Sequence, residues 1–273
     1  MGFKTILVPI EQYDLMSSTL ETAVLLARKF DSYIEGFALC GSTSAVFATG
    51  DMGAVPVPAL EHEIAEHEKR SRSLFESFMQ EHGVPCGGQA SLSSNWLKSS
   101  PEGVPDVGSY GRVFDVTVLG RSEPTTTLEA GLFESGRPVL IAPPMPRPQM
   151  GTNVLVAWNG STEQARAIAF AMPILKRARR VIVLTVEGGA GVPGPTGEQL
   201  CRYLQFNGVP AKPLTVALDG RLTGEAILAH ANALGCDLLI KGAYTQSRLR
   251  QLIFGGTTRY ILNNAELPVL MAH

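Results

Sequence analysis

Short, nearly continuous apolar runs alternate along this chain with longer stretches that carry one apolar face at helical spacing. The second half shows it most plainly. Val154–Trp158 reads as a buried strand, Ser161 with Gln164 three residues later has capping-box spacing, and Ala165, Ile168, Ala169, Met172 and Leu175 supply one apolar face. Val181–Val186 is a second strand. Thr196–Asn207 reads as a helix with Leu200 and Leu204 inward, stopped by Asn207-Gly208. Pro213–Leu218 is a third strand, Ile227, Leu228, Ala231 and Leu234 mark another helix, Leu238–Ile240 is a fourth strand, and Pro268–Met271 is the last. Apolar strands divided by amphipathic helices predict a parallel sheet covered on both faces.

The first half repeats the plan. Ile6–Ile10 is its first strand, Ser18 and Glu21 form a capping box for a helix over Leu20–Lys29, and Tyr33–Cys40 is its second strand. Gly41–Leu60 has no counterpart in the other half, and its Gly, Ala, Ser and Pro content predicts a loop, a lid or an interface arm. Glu61–Glu81 reads as a helix with Ile64, Leu74, Phe75 and Phe78 inward. His62, Glu66 and His67 lie close together, but the five-residue spacing of the histidines suits a solvated face better than a metal site.

Three segment pairs show a duplication. Thr5–Ile10 aligns with Asn153–Trp158, Phe114–Gly120 with Cys236–Gly242, and Arg137–Ala142 with Leu267–Ala272. The expected organisation is a domain over 1–143, a stiff Pro-rich linker over 144–150 and a second domain over 151–273, the two packed on each other.

Composition narrows the function classes. At 273 residues, with 45% hydrophobic and 18% charged residues, the chain has enough apolar material for two cores. A net charge of -2, with no basic arm, argues against nucleic acid and acidic membranes as partners. No run approaches the roughly 18 apolar residues of a membrane helix, and the opening MGFKTILVPIEQYD is too short in its apolar part for a signal peptide. The expected location is cytoplasmic. Cys40, Cys86, Cys201 and Cys236 are scattered without CxxC spacing, so reduced and mostly buried thiols are expected.

The candidate chemistry lies in Lys241–Thr258, KGAYTQSRLRQLIFGGTT. A strand runs through a Gly-bearing loop with Arg248 and Arg250 but no acid, and then into Gly255-Gly256-Thr257-Thr258 before an apolar-periodic helix. That order aims free helix N–H groups at an anion, and the arginines add attraction and bidentate phosphate contacts. The spacing of Gly242 and Gly255 resembles the nucleotide loop of the universal stress protein family, whose pattern is Gly-two-Gly-nine-Gly-Ser/Thr. Thr245 stands where the second glycine would be and Gly256 where the hydroxyl residue would be, with hydroxyls displaced to Thr257 and Thr258. At Thr245 either the loop follows another path or the hydroxyl replaces an N–H contact.

The resemblance implies two tandem doubly wound α/β domains, each a five-stranded parallel sheet of order 3-2-1-4-5 flanked by helices. The ligand would lie outside the carboxyl ends of strands 1 and 4. It puts the end of the second half's first strand, Ala157, Trp158 and Asn159, beside the base and ribose. Asn159 replaces the family's aspartate, keeping a donor and an acceptor without the charge. Asn159-Gly160-Ser161 reads equally as a turn and helix cap, and Trp158 either lines the base pocket or fills core. Val186 is where the family contacts adenine, largely through backbone. Gly242, Thr245, Arg248, Gly255, Gly256, Thr257 and Thr258 complete the candidate set. In the first half, Gly120 to Pro138 is 18 positions where Gly242 to Pro268 is 26, Glu123, Glu129 and Glu134 would repel phosphate, and Glu11 replaces the family aspartate. That site is expected to be lost.

The expected function is a cytoplasmic stress-response protein binding ATP, ADP or AMP in its second half, with Mg²⁺ only as the companion of ATP. The rival is a nucleotide-free scaffold that acts as a homodimer, joined through Val139–Ala142 and Val269–Ala272. A slow ATPase is the third reading. It has no support from a loop that lacks both a carboxylate and a Walker-type Gly-Lys-Ser/Thr.

Overall fold

The computed structural model describes residues 2–10, 13–39, 57–88, 91–98, 106–121, 126–189, 191–243 and 256–273. In the first half β1 (Thr5–Ile10), α1 (Tyr13–Phe30), β2 (Tyr33–Ala38), α2 (Val57–Glu81), β3 (Ser93–Trp96), α3 (Val107–Tyr110), β4 (Val116–Leu119), α4 (Thr126–Phe133) and β5 (Val139–Ile141) follow in order. The second half gives β6 (Asn153–Ala157), α5 (Thr162–Leu175), β7 (Arg180–Glu187), α6 (Gly197–Phe206), β8 (Ala211–Ala217), α7 (Thr223–Ala233), β9 (Leu238–Gly242), α8 (Gly256–Asn264) and β10 (Val269–Ala272).

The strand order is β3-β2-β1-β4-β5-β10-β9-β6-β7-β8, which is 3-2-1-4-5 read out twice from a shared centre. Pairing is parallel within each half. At the centre β5 meets β10 antiparallel, with Val269 opposite Ile141, Leu270 opposite Leu140 and Met271 opposite Val139. The strands named as a dimerisation surface are therefore paired with each other inside one chain. Helices α1, α2, α5 and α6 bury their apolar sides on one face of the sheet, and α3, α4, α7 and α8 cover the other.

The duplication extends to individual polar devices. Asp115, just before β4, accepts from the backbone N–H of Lys4 (2.6 Å) and Thr5 (3.0 Å) at the start of β1. Asp237, just before β9, accepts from Thr152 (2.8 Å) and Asn153 (2.9 Å) at the start of β6. Each carboxylate satisfies two strand-leading donors and fixes the register of the central pair.

Several side chains also tie the halves together. Ser18 Oγ donates to Pro143 O (2.6 Å), Lys29 Nζ to Met150 O (3.0 Å) and Gly151 O (2.8 Å), and Arg121 Nη1 to Ala265 O (2.9 Å). Arg177 donates to Lys29 O and lies over the Phe30 ring, 4.5 Å from its centroid. Burial lowers the pKa of Lys29, which Asp237 partly offsets.

The structure corrects several local readings. Ser18 lies inside α1, not at its start, because its hydroxyl serves the linker and α1 already begins at Tyr13. Glu21 does not complete a cap either, since it pairs with His82 at 3.0 Å. The buried side of α5 is Gln164, Ala167, Ile168, Ala171, Ile174 and Leu175, while Ala165 and Ala169 are exposed. The apolar face was misplaced because the polar Gln164 belongs to it. β3 has no apolar run to announce it, since Ser93-Ser94-Asn95-Trp96 is a polar edge strand. The segment expected as a loop up to Leu60 is helical from Val57, and its residues 41–56 lie outside the described ones. His62 is exposed and His67 Nε2 is hydrogen-bonded to Leu39 O at 3.2 Å. Cys86 is exposed, contrary to expectation, whereas Cys201 is buried and Cys236 half-buried.

Three outcomes follow from these features. Asp237→Ala should lower the unfolding free energy by about 1.5–3 kcal/mol in urea titrations, and Asp237→Asn by less, since an amide oxygen still accepts. Burial pushes the thiols of Cys201 and Cys236 up to about 11, so at pH 8 iodoacetamide should label Cys86 well before either, as peptide mass spectrometry would show. An added Cβ at Gly242 would lie 2.4 Å from Gln164 N and 2.6 Å from Glu163 C. Gly242→Ala should therefore destabilise the protein by about 1–3 kcal/mol in the same titration.

Candidate functional site

In the second half, the chain reverses direction across the sheet between β6 and β9, so their carboxyl ends border the switch point. The turn after β6 is held locally. Asn159 Oδ1 accepts from Ser161 N (3.1 Å), and Ser161 Oγ accepts from Gln164 N (3.1 Å) to cap α5. Residues 191–196 lie against this turn. Val192 N donates to Asn159 O (3.0 Å), and Trp158 Nε1 donates to Pro195 O (2.7 Å). Gly160 has φ +80, and a Cβ there would lie 2.8 Å from Val192 O, so only glycine suits this crossing. Trp158 is 8% exposed and packs in the cluster under α5 and α6, which makes it core. Ala157 and Val186 belong to the opposite cluster, with Ala243, Ile261 and Leu262.

The end of β9 is held by a residue that the sequence reading took only as a cap. Gln164 does not reach back to its own helix start. Its side chain is fully buried, donating to Ile240 O (3.3 Å) and accepting from Gly242 N. Gly242 thus permits close backbone approach, and what approaches it is the first turn of α5.

One position earlier in the chain stands Lys241. It is 8% exposed on the face covered by α7 and α8, and its Nζ donates to Gly242 O (2.7 Å) and to Thr258 Oγ1 (2.9 Å) in the first turn of α8. Burial alone lowers its pKa to about 8. Among the described residues no acid relieves this charge, and residues 238–265 contain neither Asp nor Glu. Its sequence signal was a lysine ending an otherwise apolar run.

At the start of α8, Gly256 is exposed, Thr257 half-buried and Thr258 buried. An added Cβ on Gly256 would meet nothing within 4 Å, so packing among the described residues does not demand a glycine there. Gly224 of α7 lets the two helix starts meet, since a Cβ there would lie 3.0 Å from Thr257 O. Thr245, Arg248, Arg250 and Gly255 lie outside the described residues, as does Glu11. The corresponding end of the first half is different. Leu119 and Leu128 occupy the places of Lys241 and Thr258, both inside an apolar cluster, and Glu129 sits in the first turn of α4.

Comparison with known proteins accords with this geometry. Residues 208–273 match the model of the universal stress protein family. The chain is 28% identical over 171 residues to universal stress protein Slr1230 of Synechocystis sp., covering 58% of this chain and 57% of that one. It is 36% identical over 47 residues to stress response protein NhaX of Bacillus subtilis, covering 17% and 28%. The matched stretches thus span little more than half of the first relative's length and under a third of the second's. In fold, a universal stress protein from Archaeoglobus fulgidus DSM 4304 superposes with a TM-score of 0.72 at 16% identity, covering 98% of this chain and 97% of that one. A functionally unknown protein from Pseudomonas aeruginosa PAO1 gives 0.55 at 17%, covering 99% and 92%. Residues 208–273 thus resemble the universal stress protein family, and the strand order 3-2-1-4-5 recurs in both halves.

Proposed function

We propose that this chain is a stress-response protein whose second half, residues 151–273, binds an adenine nucleotide at the carboxyl ends of β6 and β9. The first half, residues 1–143, has given up such a site and serves as its packing partner. The observation that carries the reading is the start of α8. An acid-free helix N-terminus opens on an exposed glycine that packing among the described residues does not require, in the element that follows β9 of the switch point in chain order. Its counterpart α4 begins with threonines and carries Glu129 in its first turn. Phosphates would take the N–H groups of Gly256 and Thr257, while Arg248 and Arg250 would add charge-assisted contacts.

The scaffold alternative is weaker, because its proposed dimer strands, β5 and β10, already pair with each other. Hydrolysis has no carboxylate within residues 238–265 to hold Mg²⁺ or orient water.

Calorimetry with ATP and with AMP tests the reading. Arg248→Ala should weaken ATP binding by the loss of about 1.5–3 kcal/mol, roughly ten- to a hundredfold. Gly256→Ala should leave the melting temperature nearly unchanged and weaken ATP by about tenfold, because a methyl group would stand where backbone meets phosphate. The absence of both heat and thermal shift in the wild type at millimolar nucleotide would exclude the proposal.

A further inference from the structure

The duplication supplies an internal comparison for Lys241. In the first half the same two places, at the end of β4 and in the first turn of α4, are Leu119 and Leu128, which are 4% and 6% exposed and share one apolar cluster. The fold therefore packs at this point without a polar group. In the second half the pair is Lys241 and Thr258, an ammonium bonded to a hydroxyl and to the carbonyl of Gly242. Both partners are neutral. The ammonium also lies under a helix N-terminus, where the macrodipole already carries positive charge, so each disfavours the other until an anion arrives.

Among the described residues no neighbour offsets the charge. The titratable and charged groups on the surrounding elements are Asp237 at the far end of β9, Glu225 and His230 on α7, Arg259 and Tyr260 on α8, His273 after β10, and Glu163 and Arg166 at the start of α5. None of them shifts Lys241, whose pKa is lowered by burial alone. By sequence, residues 244–255 add only Tyr244, Arg248 and Arg250.

We infer that Lys241 is a buried positioning charge for anion binding at the start of α8, acting through Thr258 and coupling that binding to the uptake of one proton. This deepens the nucleotide reading by naming what regulates the site. The sign follows from linkage. Lys241 is about half protonated near pH 8 in the free protein, and a bound anion favours the protonated form, moving its pKa back toward the ordinary value. Below pH 8 the charge is present in both states and affinity is level. As pH rises above 8 the free protein loses the proton, and affinity falls by up to tenfold per unit until the bound form also titrates.

Full-length protein is titrated calorimetrically with ATP, and separately with sulfate, an anion that does not titrate in this range, at pH 7 and pH 9.5 in two buffers of different ionisation heat. The expected wild-type result is roughly thirtyfold weaker binding at pH 9.5, with close to one proton taken up there and almost none at pH 7. Lys241→Leu, which copies the first half, should bind at least about tenfold more weakly at pH 7 and lose the pH dependence. Lys241→Arg, which stays charged, should keep binding but show no proton uptake. Circular dichroism establishes that each variant is folded. Should Lys241→Leu not fold, the proton count on the wild type and on Lys241→Arg still decides. Affinity that is flat in pH with no proton uptake, or a folded Lys241→Leu that binds like wild type, overturns the inference. ATP binding that is flat in pH defeats Lys241 but leaves the nucleotide reading standing. Sulfate binding with the expected dependence, but no ATP binding, does the reverse. Binding of neither removes both.

Discussion

The antiparallel pairing of β5 with β10 is the constraint on which the rest of the architecture depends. Each of these strands would otherwise be the bare edge of a five-stranded sheet, with a row of unsatisfied N–H and C=O groups and apolar side chains on both faces. Joined, they turn two sheets into one of ten strands and bury Val139, Leu140, Ile141, Val269, Leu270 and Met271 at its centre. The pairing also decides direction. Because strands are parallel within a half and antiparallel at the join, the carboxyl ends of the two halves open at opposite ends of the sheet. The two switch points cannot merge into one site, so each half can diverge without disturbing the other.

The linker follows from this arrangement. A Pro-rich segment has little freedom to begin with, and Lys29, Ser18 and Arg177 hold its flanks to both halves. Hydrogen bonds from charged side chains to carbonyls do here what a large apolar interface would do elsewhere. Arg121, at the end of the first half's β4, reaches instead to the carbonyl of Ala265 just beyond α8. Arg121 thus helps hold the end of α8 from the other half.

Duplication separates what the fold requires from what a site requires. Asp115 and Asp237 occupy equivalent places and make equivalent bonds, because every copy must satisfy the donors that lead its central strand. Leu119 and Lys241 also occupy equivalent places, yet one is apolar and the other a buried cation. Packing explains the first pair completely. The second pair differs in chemistry at constant backbone, which is where function is expected to leave its mark on a shared scaffold.

The sequence by itself determined the class of fold and its repetition. Runs such as Val181–Val186 and Leu238–Ile240 are apolar on both faces, and only a sheet covered by helices on both sides can bury them. Strong local signals such as the Asn207-Gly208 stop were likewise legible, since their physics lies within a few residues. Where a polar group serves a distant partner, local reading failed. Ser18 and Gln164 both look like parts of capping boxes, but one bonds Pro143 and the other bridges Ile240 and Gly242. β3 was hidden because an edge strand pairs through backbone and needs no apolar run. Only the tertiary structure could decide that Trp158 is core, that β5 and β10 take each other as partners, and that the ammonium of Lys241 lies beneath the start of α8. Burial and contact across the chain depend on the packing of segments far apart in sequence, and no local pattern encodes them.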